Sequence, residues 1–194
     1  MKRLTLLVDM DDIVVDLQPS WFAAYNRGWN DHVTPEMMTD WDVSRFAKHG
    51  KAIFEPLGWR DFFRELPEMP GAVAALRELQ DEGHDVHLVS AAPNAEAHKG
   101  KVEWVFADHM PWLPKKNLWL GHRKAMLRGD VLFDDGPHNL LDYRAAWPGA
   151  RIATIEHPYN RHALASCDLV AGHYTEPEAA WARFVPWVRG LVSS

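Results

Sequence analysis

Short apolar runs alternate with amphipathic stretches along most of the chain. Residues 4–8 (LTLLV) form a nearly continuous apolar run, as expected of a strand buried inside a parallel sheet. The stretch 70–83 (PGAVAALRELQDEG) predicts a helix. Pro70 stands at its start, Val73, Leu76 and Leu79 share one stripe, and Gly83 stops it. Residues 85–90 predict a second strand and 95–109 a helix that ends before Pro111. Residues 117–120 and 130–135 predict a third and a fourth strand, 139–146 a helix, and 151–156 a further strand. Thr175 and Glu178 have the spacing of a capping box for a last helix running to about 188. Strands alternating with helices predict an α/β fold, a doubly wound, Rossmann-like parallel sheet with right-handed crossovers.

One region breaks the rhythm. Between the first strand and Pro70 no strand pattern appears, only helical patterns over 19–25 and 34–38 and many aromatics, Trp21, Phe22, Tyr25, Trp29 and Trp41 among them. A simple crossover needs far fewer residues. Residues 17–68 are therefore expected to form a small helical cap inserted after the first strand, over a core made of 1–16 and 69–194. An insertion there would overhang the carboxyl ends of the strands, where open α/β sheets bind ligands.

The totals narrow the class. A chain of 194 residues with 47% hydrophobic and 25% charged residues can bury a sizeable core, as one domain with a modest insertion. The net charge of −6, with no lysine/arginine block, argues against a nucleic-acid polymer as partner. Cys167 is the only cysteine, so neither an internal disulfide nor a multi-cysteine zinc site is expected, which fits the cytoplasm. The apolar stretch before Asp9 is too short for a signal peptide, and no run approaches the ~18 apolar residues of a membrane span. Oligomeric state, a homodimer included, is left open.

Chemistry enters where the first strand ends. In VDMDD, Asp9 and Asp11 stand two apart and would point to the same side if the extended geometry persists. Two such carboxylates repel unless a proton or a cation intervenes, and a hard divalent ion such as Mg²⁺ resolves the conflict where phosphate and water complete its shell. Taken alone the pair is more often a solvated turn that caps the next helix. The other strand ends add to it: the second strand closes on Ser90, the fourth on Asp134-Asp135, and Lys124 lies in the polar loop between. Ser90 alone would suit a helix N-cap and Lys124 a solvated surface, but the strand ends of such a fold converge on one crevice.

The order Asp9-Met10-Asp11, Ser90, Lys124, Asp134-Asp135 resembles the four motifs of the haloacid dehalogenase superfamily of aspartate-nucleophile phosphotransferases. Within it, VDMD, FFRELPEMPGAVAALREL, the strand into Ser90 and LFDDGP are similar to stretches of the 5′(3′)-deoxyribonucleotidases of cytosolic and mitochondrial type, over about residues 4–157. The resemblance implies a Mg²⁺-dependent phosphatase acting on a small phosphomonoester, a nucleoside monophosphate first of all. Asp9 is implied as nucleophile and Asp11 as general acid and then base, with its pKa expected to be raised. Ser90 and the Ala91 N–H at the start of the next helix would bind the phosphoryl group, and Lys124 would offset its charge. The metal is implied on Asp9, the Asp11 main-chain carbonyl and Asp135, with Asp134 supporting Lys124, a choice between the two that the sequence leaves open. Two positions depart from the family: Asp12 stands where glycine is usual, and Leu17 where an aromatic lines the base pocket. Trp41, with Phe22 behind it, is the candidate to stack on a base. A phosphatase for another metabolite remains open. A receiver-type phosphoacceptor module fits less well, because there the lysine lies nearest the end of the chain.

Overall fold

The protein is described by a computed structural model that covers residues 2–193. Strand β1 (Thr5–Val8) leads into helix α1 (Leu17–Trp29). There follow α2 (Ala72–Asp81), β2 (Asp85–Ser90), α3 (Ala95–Glu103), β3 (Leu118–Leu120) and β4 (Val131–Phe133). The chain closes with α4 (Pro137–Ala146), β5 (Arg151–Glu156), β6 (Leu169–His173) and α5 (Pro177–Ser193). All the strands pair in parallel, in the order β3-β2-β1-β4-β5-β6. Leu6 lies opposite Val86 on one side and Val131 on the other, so β1 occupies the centre. The chain's direction of winding reverses between β1 and β4, which opens a crevice at their carboxyl ends.

Period-two alternation in β1 divides the core. Leu6 and Val8 face the layer that holds Leu76 and Leu79 of α2 and Trp181 and Phe184 of α5. Leu7 faces Leu140 and Tyr143 of α4, together with Leu132 and Ile152. Both faces of the sheet are covered, which is why its central strands read as unbroken apolar runs.

Three boundaries differ from expectation. Strand β6 is not predicted by the pattern; it lies at the sheet edge, and its Gly172 is there to admit α5, since a Cβ at that position would come 3.3 Å from the Ala180 Cβ. Helix α5 begins at Pro177, so Thr175 is not its cap and its hydroxyl instead meets His173 Nδ1 at 2.8 Å. Helix α3 stops at Glu103, and Trp104–His109 continues as a wider π-helical turn.

Within 17–68, α1 is followed by 3₁₀ turns at Pro35–Met37, Val43–Arg45 and Gly50–Gly58, so the helix expected over 34–38 is a single tight turn. The chain leaves and re-enters this segment side by side. Asp16 N donates to Pro67 O at 2.9 Å, and Met69 N to Val14 O at 2.8 Å.

Candidate active site

The residues that follow β1, β2 and β4 meet because those strands are neighbours. Asp9 N donates to Phe133 O of β4 at 2.9 Å, which fixes the first carboxylate against the strand that carries Asp134 and Asp135. Lys124 arrives on a 3₁₀ turn between β3 and β4, and its Nζ lies 2.7 Å from both Asp9 Oδ2 and Asp134 Oδ2. All these side chains are buried. Burial alone would lower the Lys124 pKa, but Asp134 and Asp9 outweigh it and hold the ammonium above its ordinary range.

Asp134 and Asp135 are not equivalent. Asp134 has both oxygens filled by donors: Oδ2 by Lys124, and Oδ1 by Gly136 N and Asn139 Nδ2, each at 2.9 Å. Asp135 Oδ2 accepts from the Tyr159 hydroxyl at 2.5 Å, and its main-chain oxygen accepts from Asn160 Nδ2 at 3.0 Å. Asp9, Asp134 and Asp135 can each offer one oxygen so that all lie within 4.8 Å of one another. Burial, then the charges of Asp9, Asp134 and Asp12, push the Asp135 carboxyl well above the usual carboxylate range. Three buried carboxyls thus share the single charge of Lys124. This shortage of positive charge among hard oxygen donors fits a divalent cation such as Mg²⁺.

Asp11 and Ser90 are joined by a residue that the motif order does not contain. Lys101 of α3 is 1% exposed, and its Nζ lies 2.5 Å from Asp11 Oδ2, 2.8 Å from Ser90 Oγ and 2.7 Å from Ala91 O. Among the described residues, Asp11 Oδ1 has no hydrogen-bond partner. In KGKVE, Lys101 reads as a solvated helix lysine. The signal that could have found it is Gly100: a glycine inside a helix costs about 1 kcal/mol and marks a close approach. Here a Cβ at Gly100 would lie 2.9 Å from the Phe63 Cβ. Ala91 lines the crevice but does not open a helix. Helix α3 starts at Ala95, four residues later, capped by Asn94 through a 2.8 Å bond from Ala97 N. No helix N-terminus therefore stands behind the Ala91 N–H.

Asp12, the departure at a glycine position, adopts φ 54°, the left-handed conformation that explains why glycine suits that position. Its Oδ1 accepts from Gln18 N at 3.0 Å, so it caps α1 from outside, whereas Asp16, at the N-cap position itself, makes no side-chain cap. Burial, partly offset by the Gln18 bond, with Asp11 and Asp16 adding, pushes its pKa up to about 8.

Above these groups lies a cavity of about 410 Å³. Asp9, Asp11, Asp12, Ala91, Lys124 and Asp135 make its polar side. Leu17, Trp21, Met38, Trp41, Val43, Phe54 and Leu57 face them, with His122 and His138 at the margin. Trp41 is 48% exposed and meets His138 and Tyr159 edge-on at 4.9 and 5.4 Å. Phe22 is not behind it. At 1% exposure it packs against Trp21, 5.1 Å away, because the helical turn of α1 presents residue 21 to the cavity and rotates residue 22 into the core. Leu17 lines the wall at the position where the resemblance places an aromatic, and Trp21 and Phe54 supply the rings nearby.

Among the described residues no helix is long and apolar enough to cross a membrane. In sequence, the chain is 28% identical over 163 residues to a 5′(3′)-deoxyribonucleotidase of Bacillus subtilis, covering 84% of this chain and 90% of that one. It is 30% identical over 146 residues to a 5′(3′)-deoxyribonucleotidase of Clostridium acetobutylicum, covering 74% and 79%. In structure, it is similar to a haloacid dehalogenase-like hydrolase of Streptococcus pneumoniae, with a TM-score of 0.58 at 13% identity over 94% of this chain and 98% of that one. The sequence model of the family described as 5′ nucleotidase, deoxy (pyrimidine), cytosolic type C matches residues 3–172. Strand order, the acids at the ends of β1 and β4 and the extent of this match agree: the chain has the fold of a haloacid dehalogenase-like hydrolase and belongs to the cytosolic type C 5′-nucleotidase family.

Proposed function

We propose that the chain is a Mg²⁺-dependent phosphatase of nucleoside monophosphates, 5′(3′)-deoxyribonucleotides above all, that works through an aspartyl phosphate on Asp9. The observation that carries this reading is the Asp9 carboxylate, held 2.7 Å from Lys124 at the floor of a cavity whose opposite wall is aromatic. Asp9 attacks phosphorus, and Lys124 offsets the charge that accumulates as the two anions approach. The Ser90 hydroxyl and the Ala91 N–H donate to phosphoryl oxygens. Asp11 gives a proton to the departing sugar oxygen and then takes one from water. The Asp9 and Asp135 carboxylates and the Asp11 main-chain carbonyl would hold the metal, since Asp134 has its oxygens engaged by Lys124, Gly136 and Asn139. Bound there, Mg²⁺ supplies positive charge to the phosphoryl oxygens. Residues 17–68 act as the cap that selects the substrate, over a catalytic core of 1–16 and 69–194. The aromatic wall favours a base over the sugar or short polyol of another metabolite, and the family match sets the receiver-type reading aside. A cytoplasmic setting agrees with the family's description and with the lone Cys167.

Phosphate release from a panel of nucleoside monophosphates and sugar phosphates, with and without Mg²⁺, tests the reading. Metal-dependent turnover strongest on deoxynucleotides is expected. Turnover confined to non-nucleotides transfers the site to another metabolite, and none at all overturns the phosphatase. Asp9→Asn should lose at least ~10³-fold in kcat while keeping its circular dichroism spectrum.

A further inference from the structure

Neither nucleophilic attack by Asp9 nor metal binding calls on Lys101, yet its ammonium is fully enclosed. It lies 4.7 Å from the centre of the Phe63 ring, and each of its three protons has an oxygen to meet, on Asp11, Ser90 and Ala91. A buried ammonium is costly unless paired and hydrogen-bonded in this way. The consequences fall on both neighbours. Asp11 Oδ2 is taken by a donor, which leaves the unpartnered Oδ1 as the oxygen that can carry an exchangeable proton. Ser90 Oγ accepts from Lys101, so its own hydrogen must turn elsewhere. Its acceptor among the described residues, Ala91 O, is 3.5 Å away and already bonded to Lys101. The hydroxyl is left to donate to a phosphoryl oxygen.

We propose that Lys101 is a positioning residue that orients the acid/base Asp11 and the phosphate donor Ser90 together, and that it matters most for leaving groups that need a proton. The proposal rests on the phosphatase reading. As an Asp9 oxygen bonds to phosphorus, the bond from phosphorus to the sugar oxygen breaks. Its electron pair leaves with that oxygen, which takes the proton from Asp11 Oδ1. Water then bonds to phosphorus, the bond to Asp9 breaks, and Oδ1 takes the proton that water releases.

The test compares a nucleoside monophosphate, whose sugar leaves as a poor alkoxide, with p-nitrophenyl phosphate, whose phenolate leaves without help. Because the water step and the Ser90 contact serve both substrates, the aryl ester is read at its pre-steady-state burst. Lys101→Met should lower kcat on the nucleotide about 100-fold, within the range of general acid catalysis, and the rate of the first nitrophenolate release less than about fivefold. In an Asp11→Asn background the same change should cost less than about twofold more on the nucleotide, since residues acting as a unit are non-additive. Should the methionine variant not fold, Lys101→Gln carries the same comparison. Equal losses in nucleotide turnover and in the nitrophenolate burst, or full additivity with Asp11→Asn, overturn the proposal while leaving the phosphatase standing. A wild-type chain that turns over neither substrate overturns the phosphatase, and this role of Lys101 with it.

Discussion

Asp12 shows how one side chain can carry a structural role and an electrostatic cost at once. Its left-handed backbone costs about 1–2 kcal/mol for an ordinary residue, less for Asp, and its carboxylate caps α1 at Gln18. Its pKa rises from 3.8 to about 8, chiefly through burial. Between those values the folded chain holds a proton that the unfolded chain has released. Stability linked to Asp12 is therefore present at low pH and lost as pH rises toward 8. Asp12→Gly removes this dependence and relieves the backbone, while forfeiting a cap of about 1 kcal/mol that shifts the baseline and not the slope. In metal-free buffer the variant's stability relative to wild type should grow by about 2 kcal/mol from pH 5 to pH 8, roughly half of what one proton could contribute at ~1.4 kcal/mol per unit. Chemical denaturation at the two pH values measures it. A gap that stays constant would remove Asp12 as the titrating group.

At the scale of elements, the site depends on how closely α3 approaches the turn before Leu66. Gly100 would place a Cβ 2.9 Å from the Phe63 Cβ and 3.1 Å from the Arg64 N–H nitrogen, and it immediately precedes Lys101. Gly100→Ala gains about 1 kcal/mol of helix propensity but forces α3 outward, an overpacking cost of about 1–3 kcal/mol. A net loss of about 1–2 kcal/mol is expected in thermal or denaturant unfolding, with a lower kcat because Lys101 moves too; a variant more stable than wild type would contradict it. The same approach marks the limit of what the sequence discloses. Asp9, Ser90 and Asp134 could be found because largely apolar strands end at them, Lys124 because it lies in the polar loop between two strands, and a parallel sheet brings these ends together. Lys101 was signalled only indirectly, by Gly100 beside it, since its role comes from a helix pressed against a loop 37 residues earlier, counted from Arg64, and helical periodicity gives it no special place. The 3₁₀ turns of 17–68 escaped for a related reason: their aromatics pack through single turns with no repeating period. Strand β6 escaped because its apolar run, Leu169-Val170-Ala171, is only three residues long and stops at Gly172.

For the whole molecule, the central relation is between the acidic strand ends and the aromatics that 17–68 carries over them. The chain enters and leaves that segment through hydrogen-bonded neighbours, Asp16 with Pro67 and Met69 with Val14, so the segment is tethered at one edge of the crevice. Across the crevice it touches the core again. Trp41 lies on His138 at the start of α4 and on Tyr159 after β5, and the Tyr174 hydroxyl meets Glu36 at 3.1 Å. Trp41 is thus held in place by the same Tyr159 that donates to Asp135, which links the aromatic wall to the acidic floor through one side chain. Its exposure leaves a ring face for a planar ligand, and stacking on a base contributes about 1–3 kcal/mol. On the proposed function, phosphate would be held by Lys124, Ser90 and Ala91, whereas the rings that meet Trp41 are those of His138 and Tyr159. Trp41→Ala should therefore raise KM for nucleoside monophosphates about tenfold, which corresponds to ~1.4 kcal/mol, and leave inhibition by inorganic phosphate unchanged. Steady-state kinetics with phosphate as competitive inhibitor separates the two. If both constants shift together, Trp41 supports the floor through Tyr159 and does not stack on the base. If neither shifts, the base lies against Trp21 and Phe54, which line the same cavity.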